Sequence, residues 1–543
     1  MTRKNIKNPY IPLFLLSFSM VVLRYVYFGF TYYPQLDDYI QYHNYASFNS
    51  SFFELAHKLG LFAARPISGS LDYLLWSHFW GKLIIAVTIL SVLYAISGLI
   101  FYHIFYKKLH LTIVFLVFYC LFPLNIEGTY WVSASSRVVG GLFFAALSAF
   151  YFDRYSERIT TKNILLVMLF QLISFGFYEQ TMPLTAVLFF VLSLYSSKKL
   201  KTLITGVLAT VLNAGIYFGF TMFFKNSSLY DGKLTYAFPV NRYYFEDLFP
   251  RLLDQLRSVF ISAPVALYTT GFKRGMDILI KKPNTLFLLG LISLCIIVYI
   301  MSVRSGHQKN HTRIHSVALL CGIFIAALPL LVFFIAAEPW VSLRGAVMSF
   351  PGLAITASAL VSLVSPLFKK HGGIFTACVC TALCFIFTVA GVSEVSDYKD
   401  TFSNDNKVVN AITGELKKYG EDQNAVILNV RPSYLKEQNY SYHEHIHGVT
   451  ESDWALTGAV QAAANKPDVP FITPIAPNAP IYEPYDKFGE YNLSYILTDD
   501  FKLIRLEKKI QSDGTVSFYN NGRLTAKITE DNNGKRVLVK VKD

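Results

Sequence analysis

The chain has 543 residues, of which 53% are hydrophobic and only 16% are charged. A soluble globular protein carries roughly 25% charged residues, so this composition excludes a wholly soluble protein and favours a bilayer as the main solvent. The net charge is +13, yet residues 394–543 hold about four more acidic than basic side chains, which leaves the rest near +17. That excess suits anionic headgroups or a phosphate-bearing substrate. The soluble part has no basic stripe interleaved with aromatic residues, so nucleic-acid binding is not indicated.

Apolar runs recur along the chain from Tyr10 to Val392. Their lengths, about 15 to 24 residues, are close to the roughly 20 that a helix needs to cross the hydrocarbon core, and they lack the period of two found in membrane barrels. The sequence therefore predicts a polytopic α-helical membrane bundle over residues 1–393 and a soluble α/β or α+β domain over residues 394–543. About eleven spans are predicted, at 10–30, 82–105, 109–126, 138–152, 163–179, 181–196, 202–224, 284–303, 314–336, 346–367 and 373–392.

Lys and Arg in short loops set the predicted orientation, because cytoplasmic loops carry an excess of these residues. The first run follows Arg3, Lys4 and Lys7, but it is too long for a signal peptide and lacks a small-x-small site, so we expect an uncleaved anchor. The same rule predicts a multi-pass protein of the cell membrane whose C-terminal domain lies outside the cytoplasm. The predicted outer connections are 31–81, 127–137, the turn at Glu179, 225–283 and 337–345.

One apolar segment, Val259 to Phe272, lies inside the long outer connection and next to Lys273 and Arg274. A membrane crossing there would place the basic loop from Arg304 to Arg313 outside. The sequence therefore predicts an interfacial or re-entrant helix for this segment.

Charged residues collect on the predicted outer connections, and several adjoin apolar runs, where charges are costly without partners. Asp37 and Asp38 follow the first helix, and adjacent carboxylates suit a general base or a hard cation such as Mg²⁺ or Mn²⁺. An exposed turn is the plainer interpretation of this pair taken alone. The other residues predicted to share a polar site are Arg65, Asp72, Glu127, Trp131, Arg137, Glu179, Glu338, Trp340 and Arg344.

Three of these residues, Arg65, Arg137 and Arg344, offer planar guanidinium groups that match a phosphate or pyrophosphate. An alternative interpretation makes Arg137 and Arg344 structural ion-pair partners of Glu127 and Glu338. The two interpretations do not exclude each other.

The chain resembles the GT-C superfamily of membrane glycosyltransferases, and within it the bacterial enzymes that decorate surface polysaccharides, including the glucosyltransferases. The resemblance is carried by a first helix, then Tyr33-Pro34-Gln35-Leu36-Asp37-Asp38-Tyr39, then Ala64-Arg65-Pro66, many short spans and an extracytoplasmic tail. It covers residues 1–393 as an arrangement, but only the Asp-Asp and Arg-Pro pieces match residue by residue.

The resemblance implies inverting transfer of a sugar from a polyprenyl-phosphate donor to a glycan acceptor outside the cytoplasm, such as a cell-surface polysaccharide. It implies that Asp37 or Asp38 deprotonates the acceptor hydroxyl or binds a divalent cation. It further implies that Arg65, Arg137 or Arg344 stabilises the departing lipid phosphate.

Four further residues are candidates for substrate binding: Glu127, Trp131, Glu179 and Glu338. Trp131 lies at a predicted interface, where an aromatic belt is favoured although a sugar also stacks on such a ring. Glu179 could bind a sugar or an arginine, or simply cap a hairpin.

The tail is predicted to contain helices at Asn404 to Tyr419 and Trp454 to Asn465, a strand at Ala425 to Val430, and hairpins at two Asn-Asn-Gly turns. Three histidines, His443, His445 and His447, would share one face of a strand and could bind a transition metal. Metal binding is disfavoured because no further ligand is evident, and contact with the acceptor is a comparable interpretation.

Two other function classes compete with the transferase. A transporter or flippase for a lipid-linked or anionic substrate would favour mid-membrane polar residues and related halves of the chain, whereas the charges here concentrate on one face and no internal repeat is evident. A membrane-anchored receptor would use the tail to bind its ligand, but it would not need so many spans.

Overall fold

The computed structural model describes eleven ranges of the chain: residues 10–44, 51–58, 60–224, 242–305, 312–336, 339–419, 423–433, 448–466, 469–481, 485–531 and 534–541. The fold divides into two compact units. The first unit comprises Met1–Tyr32 and Ser50–Val395, and the second comprises Tyr33–Asn49 and Ser396–Asp543. Predicted Glu338 and the three tail histidines lie outside the described residues.

The segment after the first helix belongs to the second unit, although it was assigned above to the outer loop 31–81 of the membrane domain. A short helical turn, Tyr39–Asn44, packs on the helix Asp453–Ala464 of the tail. The Ile40 side chain approaches so closely that a Cβ added to Gly458 would lie 2.8 Å from Ile40 Cγ1. Sequence patterns within one segment do not reveal such a long-range packing partner.

Helices long and apolar enough to cross a membrane dominate the first unit, so the chain is a helical membrane protein. Within the described ranges six stretches meet this criterion: Leu83–Leu109, Val132–Glu157, Lys199–Phe223, Thr285–Arg304, Thr312–Ile335 and Leu343–Leu416. Three shorter apolar helices accompany them: Tyr10–Val26, Thr161–Phe177 and Thr181–Leu194.

The last of these stretches is 74 residues long, far more than one crossing needs, and it contains the helix Phe350–Val364 and most of the helix Gly372–Tyr419. A break at Lys369, where φ is 49°, separates them. The 48-residue helix Gly372–Tyr419 is apolar only as far as Val392. Its polar second part belongs to the second unit from Ser396 onward.

The predicted span at 109–126 is wrong as a single crossing helix. The structure has the eight-residue helix Val114–Leu121, which is about 12 Å long, followed by the turns Pro123–Asn125 and Ile126–Thr129. Nearly all of these residues are buried inside the first unit. A short helix surrounded by protein is as apolar as a lipid-facing one, which explains the misassignment. The other short helices are Phe52–Lys58, Pro66–Leu74, Leu331–Ile335 and Leu343–Ala346.

Two membrane helices approach each other closely through glycines. A Cβ added to Gly352 would lie 2.2 Å from Ala326 N, and one added to Gly322 would lie 2.5 Å from Thr356 Oγ1. Small residues permit such backbone contact, which drives helix association in membranes. The helix Thr312–Ala327 therefore packs directly against the helix Phe350–Val364.

Residues 242–281 form one continuous helix in which α-helical segments alternate with π-type turns. At 1.5 Å per residue it is about 60 Å long. The predicted segment Val259 to Phe272 is its middle, so the re-entrant alternative is wrong and the interfacial one stays a prediction. Its buried stripe consists of Leu248, Leu252, Val259, Ala263, Leu267, Gly271, Gly275 and Leu279.

This long helix contacts three other elements of the first unit at separate points. Tyr244 OH donates to Phe334 O over 3.0 Å near one end, and Tyr27 OH donates to Ile278 O over 3.2 Å near the other. Between them, a Cβ added to Gly275 would lie 2.1 Å from Val389 O. Contacts spread over three elements fix the helix across the bundle.

Among the described residues the second unit has eight strands: β1 Ala425–Leu428, β2 Ile472–Ile475, β3 Leu493–Leu497, β4 Leu503–Arg505, β5 Glu507–Ile510, β6 Val516–Asn520, β7 Arg523–Glu530 and β8 Arg536–Lys540. They form two small sheets. The first has the order β2-β1-β3-β4, with β1 parallel to β2 and β3, and β3 antiparallel to β4. The second is the antiparallel meander β5-β6-β7-β8.

One apolar core joins both sheets, with Val426 and Leu428 of β1 in the same cluster as Phe518 and Ile528 of the meander. The predicted strand at 425–430 and the hairpin at Asn520-Asn521-Gly522 are confirmed. Asn521 and Gly522 have φ of 48° and 79°, the positive values that a tight two-residue hairpin turn requires.

Candidate functional site

Asp37 and Asp38 lie in the second unit, in a turn held by its neighbours. Asp38 is buried, and its Oδ2 accepts a hydrogen bond from Gln35 N over 2.9 Å. Gln35 Nε2 in turn donates to Tyr398 O over 3.1 Å. Asp37 is partly exposed. The two carboxylates therefore differ in access, and the plainer expectation of a fully exposed turn is wrong for Asp38.

Arg65 forms an ion pair with Glu179 in the first unit. Its Nε lies 3.0 Å from Oε2 and 3.1 Å from Oε1, and its Cζ lies 4.5 Å from the centre of the Tyr178 ring. Arg65 immediately precedes the helix Pro66–Leu74, which starts with proline because its first N–H needs no intrahelical partner. Glu179 is thus an arginine partner and not merely a hairpin cap.

Arg137 lies on the second turn of Val132–Glu157, and its Nη2 is 3.4 Å from Asp72 Oδ2. Ser136 Oγ donates to Asp72 Oδ1 over 3.2 Å. The Asp72 side chain is almost fully buried, so these donors offset the cost of removing its charge from water. An ion pair of Arg137 was predicted with Glu127, whereas the pair seen here joins it to Asp72.

The guanidinium group of Arg344 lies over an aromatic ring that belongs to a different connection between helices. Its Cζ lies 5.1 Å from the centre of the ring of Trp131, which is buried. A Cβ added to Gly128 would lie 3.2 Å from Arg344 Cα, so the two connections touch through their backbones. Trp131 is therefore buried inside the unit rather than placed in an exposed aromatic belt, which corrects that interpretation.

A further contact links the connection of Arg344 to that of Glu179. A Cβ added to Gly345 would lie 3.6 Å from Gln180 Oε1, and Gln180 directly follows the partner of Arg65. The first unit thus brings together the connections that carry Arg65, Arg344 and Trp131. Arg137 is on the helix that begins immediately after Trp131. Arg65, Arg137 and Arg344 therefore lie on elements that contact one another, and guanidinium groups suit a multiply charged anion.

Sequence reasoning assigned no role to Arg24, which is 4% exposed within the helix Tyr10–Val26. It donates to Asn125 Oδ1 over 2.9 Å and to Thr129 Oγ1 over 2.8 Å, on both sides of buried Glu127. An arginine within an apolar run was the available signal, because such a residue needs internal partners.

A second residue was also missed. Glu394 is fully buried at the end of the apolar part of Gly372–Tyr419, where a carboxylate directly follows an apolar run. Among the described residues of the first unit, Glu127 and Glu394 are thus both buried glutamates.

The fit of a divalent cation to Asp37 and Asp38 is poor. Among the described residues no three His, Cys, Asp or Glu side chains form a group that could hold a metal ion. One oxygen of Asp38 is already engaged by Gln35 N. None of the six cysteines forms a disulfide bond.

Comparison of the sequence with models of protein families and with characterised proteins finds no match.

Proposed function

We propose that the protein is an inverting glycosyltransferase of the GT-C type, which moves a sugar from a polyprenyl-phosphate donor to a glycan acceptor outside the cytoplasm. The observation that carries this proposal is the set of Arg65, Arg137 and Arg344 on connected elements of the first unit. A lipid phosphate is the anion that a membrane bundle meets at its surface, and planar guanidinium groups match its oxygens. The proposal includes a C-terminal domain outside the cytoplasm, as the distribution of Lys and Arg in short loops favours.

Donor binding is assigned to the arginines. Each is already placed by an acid or an aromatic ring: Arg65 by Glu179, Arg137 by Asp72 and Arg344 by Trp131. Positioned cations stabilise a transition state because they need no rearrangement as charge develops on the leaving phosphate. Their role here is to stabilise the lipid phosphate as it leaves.

The base is assigned to Asp37 rather than Asp38. A base must reach the acceptor hydroxyl, and Asp37 is the more accessible carboxylate, while Asp38 holds the turn through Gln35 N. In the proposed step the acceptor oxygen bonds to the anomeric carbon and gives its proton to Asp37. The bond from that carbon to the phosphate oxygen breaks, and the electron pair leaves with the phosphate, which inverts the anomeric centre.

The test compares cell-surface polysaccharide from cells with and without the protein. We expect deletion to remove one sugar substituent and the wild-type gene to restore it. A variant with both Asp37→Asn and Asp38→Asn should be expressed in the membrane without restoring the sugar. Asp277→Asn is the matched control, because Asp277 is an exposed acid of the long helix in the first unit.

Unchanged polysaccharide composition after deletion would refute the transferase. Restoration by the double aspartate variant would refute the assigned base. Accumulation of the lipid-linked sugar on the cytoplasmic side only would instead support a flippase.

A further inference from the structure

The first sheet of the second unit has a crevice at the carboxyl ends of two neighbouring parallel strands. The connection after β1 leads through the helix Asp453–Ala464 to β2 on one side. The connection after β3 leads to β4 on the other side. Such a reversal opens a crevice beyond the carboxyl ends of the two strands, and ligands of open α/β sheets bind at this position.

A cavity of about 240 Å³ occupies this position. Its wall combines residues that follow β1 with residues at and after the end of β3: Asn429, Arg431, Pro432, Ser433, Leu497, Thr498, Asp499 and Phe501. Asn404 and Val408 of the helix Gly372–Tyr419 complete it. Pockets that hold drug-sized ligands are larger, roughly 300–1,000 Å³, so this cavity suits a single ring with its substituents.

The polar groups of the wall are held in place by hydrogen bonds. Asn429 has a φ of 63°, and its Nδ2 donates to Leu497 O over 2.6 Å, which ties the two connections together. Asn404 Nδ2 donates to Ser433 O over 3.1 Å, and Ser433 N donates to Thr450 Oγ1 over 3.0 Å. A wall fixed in this way does not need to be reordered when a ligand binds.

Asn429 gives a second observation that points to a ligand. The residue is 4% exposed, and within the described part of the chain its Oδ1 has no hydrogen-bond partner. A buried carbonyl oxygen without a donor is costly, so such atoms commonly accept from a bound water or ligand. A hydroxyl group in the cavity would supply that donor.

An exposed ion pair and one aromatic ring line part of the cavity. Arg431 Nη2 lies 3.2 Å from Asp499 Oδ1, and both side chains are mostly exposed. Phe501 is 38% exposed, and Lys407 Nζ lies 5.5 Å from the centre of its ring. Arg431 and Asp499 therefore present both hydrogen-bond donors and acceptors to the cavity. An apolar ligand would leave the amide and carboxylate groups of the wall without partners.

We propose that this crevice binds a sugar ring of a glycan. A sugar offers hydroxyl groups to the planar side chains of Asn429, Arg431 and Asp499, and a face of C–H groups to the ring of Phe501. That the glycan is the acceptor of the transferase rests on the proposed function. Binding itself does not depend on it.

The test measures binding of oligosaccharides released from the surface polysaccharide of the cells that make the protein. Full-length protein in lipid nanodiscs is titrated with these oligosaccharides. We expect saturable binding, weakened at least about tenfold by Phe501→Ala and by Arg431→Ala, because stacking and a charged hydrogen bond each contribute on that scale. Inorganic phosphate should not compete.

Lys509→Ala is the matched control, because Lys509 also carries a cation beside an aromatic ring, that of Tyr519, but lies on the other sheet. It should bind like the wild type. Thermal unfolding of each variant identifies loss of fold, and Phe501→Leu keeps the bulk of the side chain if the alanine variant unfolds.

No saturable binding by the wild type would overturn the proposal, as would binding unchanged in both crevice variants. Competition by phosphate would assign the crevice to an anion and overturn it as well. Failure of the proposed function looks different: oligosaccharide binding that depends on Arg431 and Phe501, together with no sugar transfer, would refute the transferase and keep the glycan site.

Discussion

Arg65 and Glu179, separated by 114 residues in sequence, form an ion pair in which Nε contacts both carboxylate oxygens at 3.0 and 3.1 Å. The side chains are 34% and 20% exposed, so solvent screens the pair and its contribution to stability is about 1 kcal/mol or less. The pair acts mainly by fixing the position of the Arg65 guanidinium group.

The first prediction tests whether the pair of Arg65 and Glu179 positions Arg65 for catalysis or instead stabilises the fold. Arg65→Ala and Glu179→Gln should each lower sugar transfer at least about tenfold while shifting the unfolding temperature little, since a partly exposed pair stabilises weakly. Activity and thermal unfolding of the same preparations check this. Arg242→Ala breaks the exposed pair of Arg242 with Glu246 and should change neither quantity. Equal loss in the control would show that the effect is not specific to Arg65.

Arg344 gives the second prediction. Arg344→Ala should reduce transfer about 100-fold, because removal of one positioned donor to a developing negative charge typically has an effect of that size. Arg344→Lys should restore only part of the rate, since lysine lacks the planar fork. Initial rates with a labelled polyprenyl-phosphate sugar measure both. Arg304→Ala, at the far end of Thr285–Ser305, is the control, and a wild-type rate for Arg344→Ala would contradict the assigned role.

The third prediction concerns the close helix crossing at Gly352. Gly352→Ala should lower the free energy of unfolding by about 1–3 kcal/mol, because the added Cβ would lie 2.2 Å from Ala326 N and the helices must separate. Thermal unfolding in detergent measures the change. Gly215→Ala, where nothing lies within 4 Å, should be neutral or stabilising. A Gly352→Ala protein as stable as the Gly215→Ala protein would show that the crossing is not tight.

Asp405 gives the fourth prediction. It lies in the second unit beyond the apolar part of its helix, and burial raises its pKa to about 7. Nearby Glu451 also raises the pKa, while hydrogen bonds from Ser433 and Val449 N partly oppose the rise. The unfolded chain releases this proton near pH 4, so between about pH 4 and 7 the folded state holds more protons and stability falls as pH rises.

Asp405→Asn should remove this loss of folding free energy, which amounts to roughly 2–4 kcal/mol above pH 7. Unfolding temperatures of the full-length protein at pH 5 and pH 8 provide the measurement. The variant should lose less stability than the wild type between these values, and Asp277→Asn should behave like the wild type. An identical pH dependence in Asp405→Asn and wild type would contradict the buried-acid account.

Local patterns predicted the tail well. Four apolar residues in a row predicted β1, and Asn521-Gly522 predicted the hairpin between β6 and β7 because both residues must adopt positive φ. The predicted helix at Trp454 to Asn465 appears as Asp453–Ala464, where Asn465 ends it with a φ of 54°. Each feature depends on residues that are neighbours in sequence.

Long-range partners explain what the sequence did not predict. The burial of Val114–Leu121 inside the bundle, the packing of Ile40 on Gly458 and the pairing of Arg137 with Asp72 all join segments distant in sequence. An apolar run has the same composition whether lipid or protein surrounds it. For the same reason, burial of Asp38 but not Asp37 could not be read from two adjacent carboxylates.

The most direct test of the central claim measures transfer of a radiolabelled sugar from its polyprenyl-phosphate donor to acceptor glycan by purified protein in proteoliposomes. The wild type should transfer the label, Asp37→Asn should be slower by about 100-fold or more, and Asp38→Asn should retain more activity than Asp37→Asn. Transfer by Asp37→Asn at the wild-type rate would contradict the assigned base, and absence of transfer by the wild type would contradict the transferase itself.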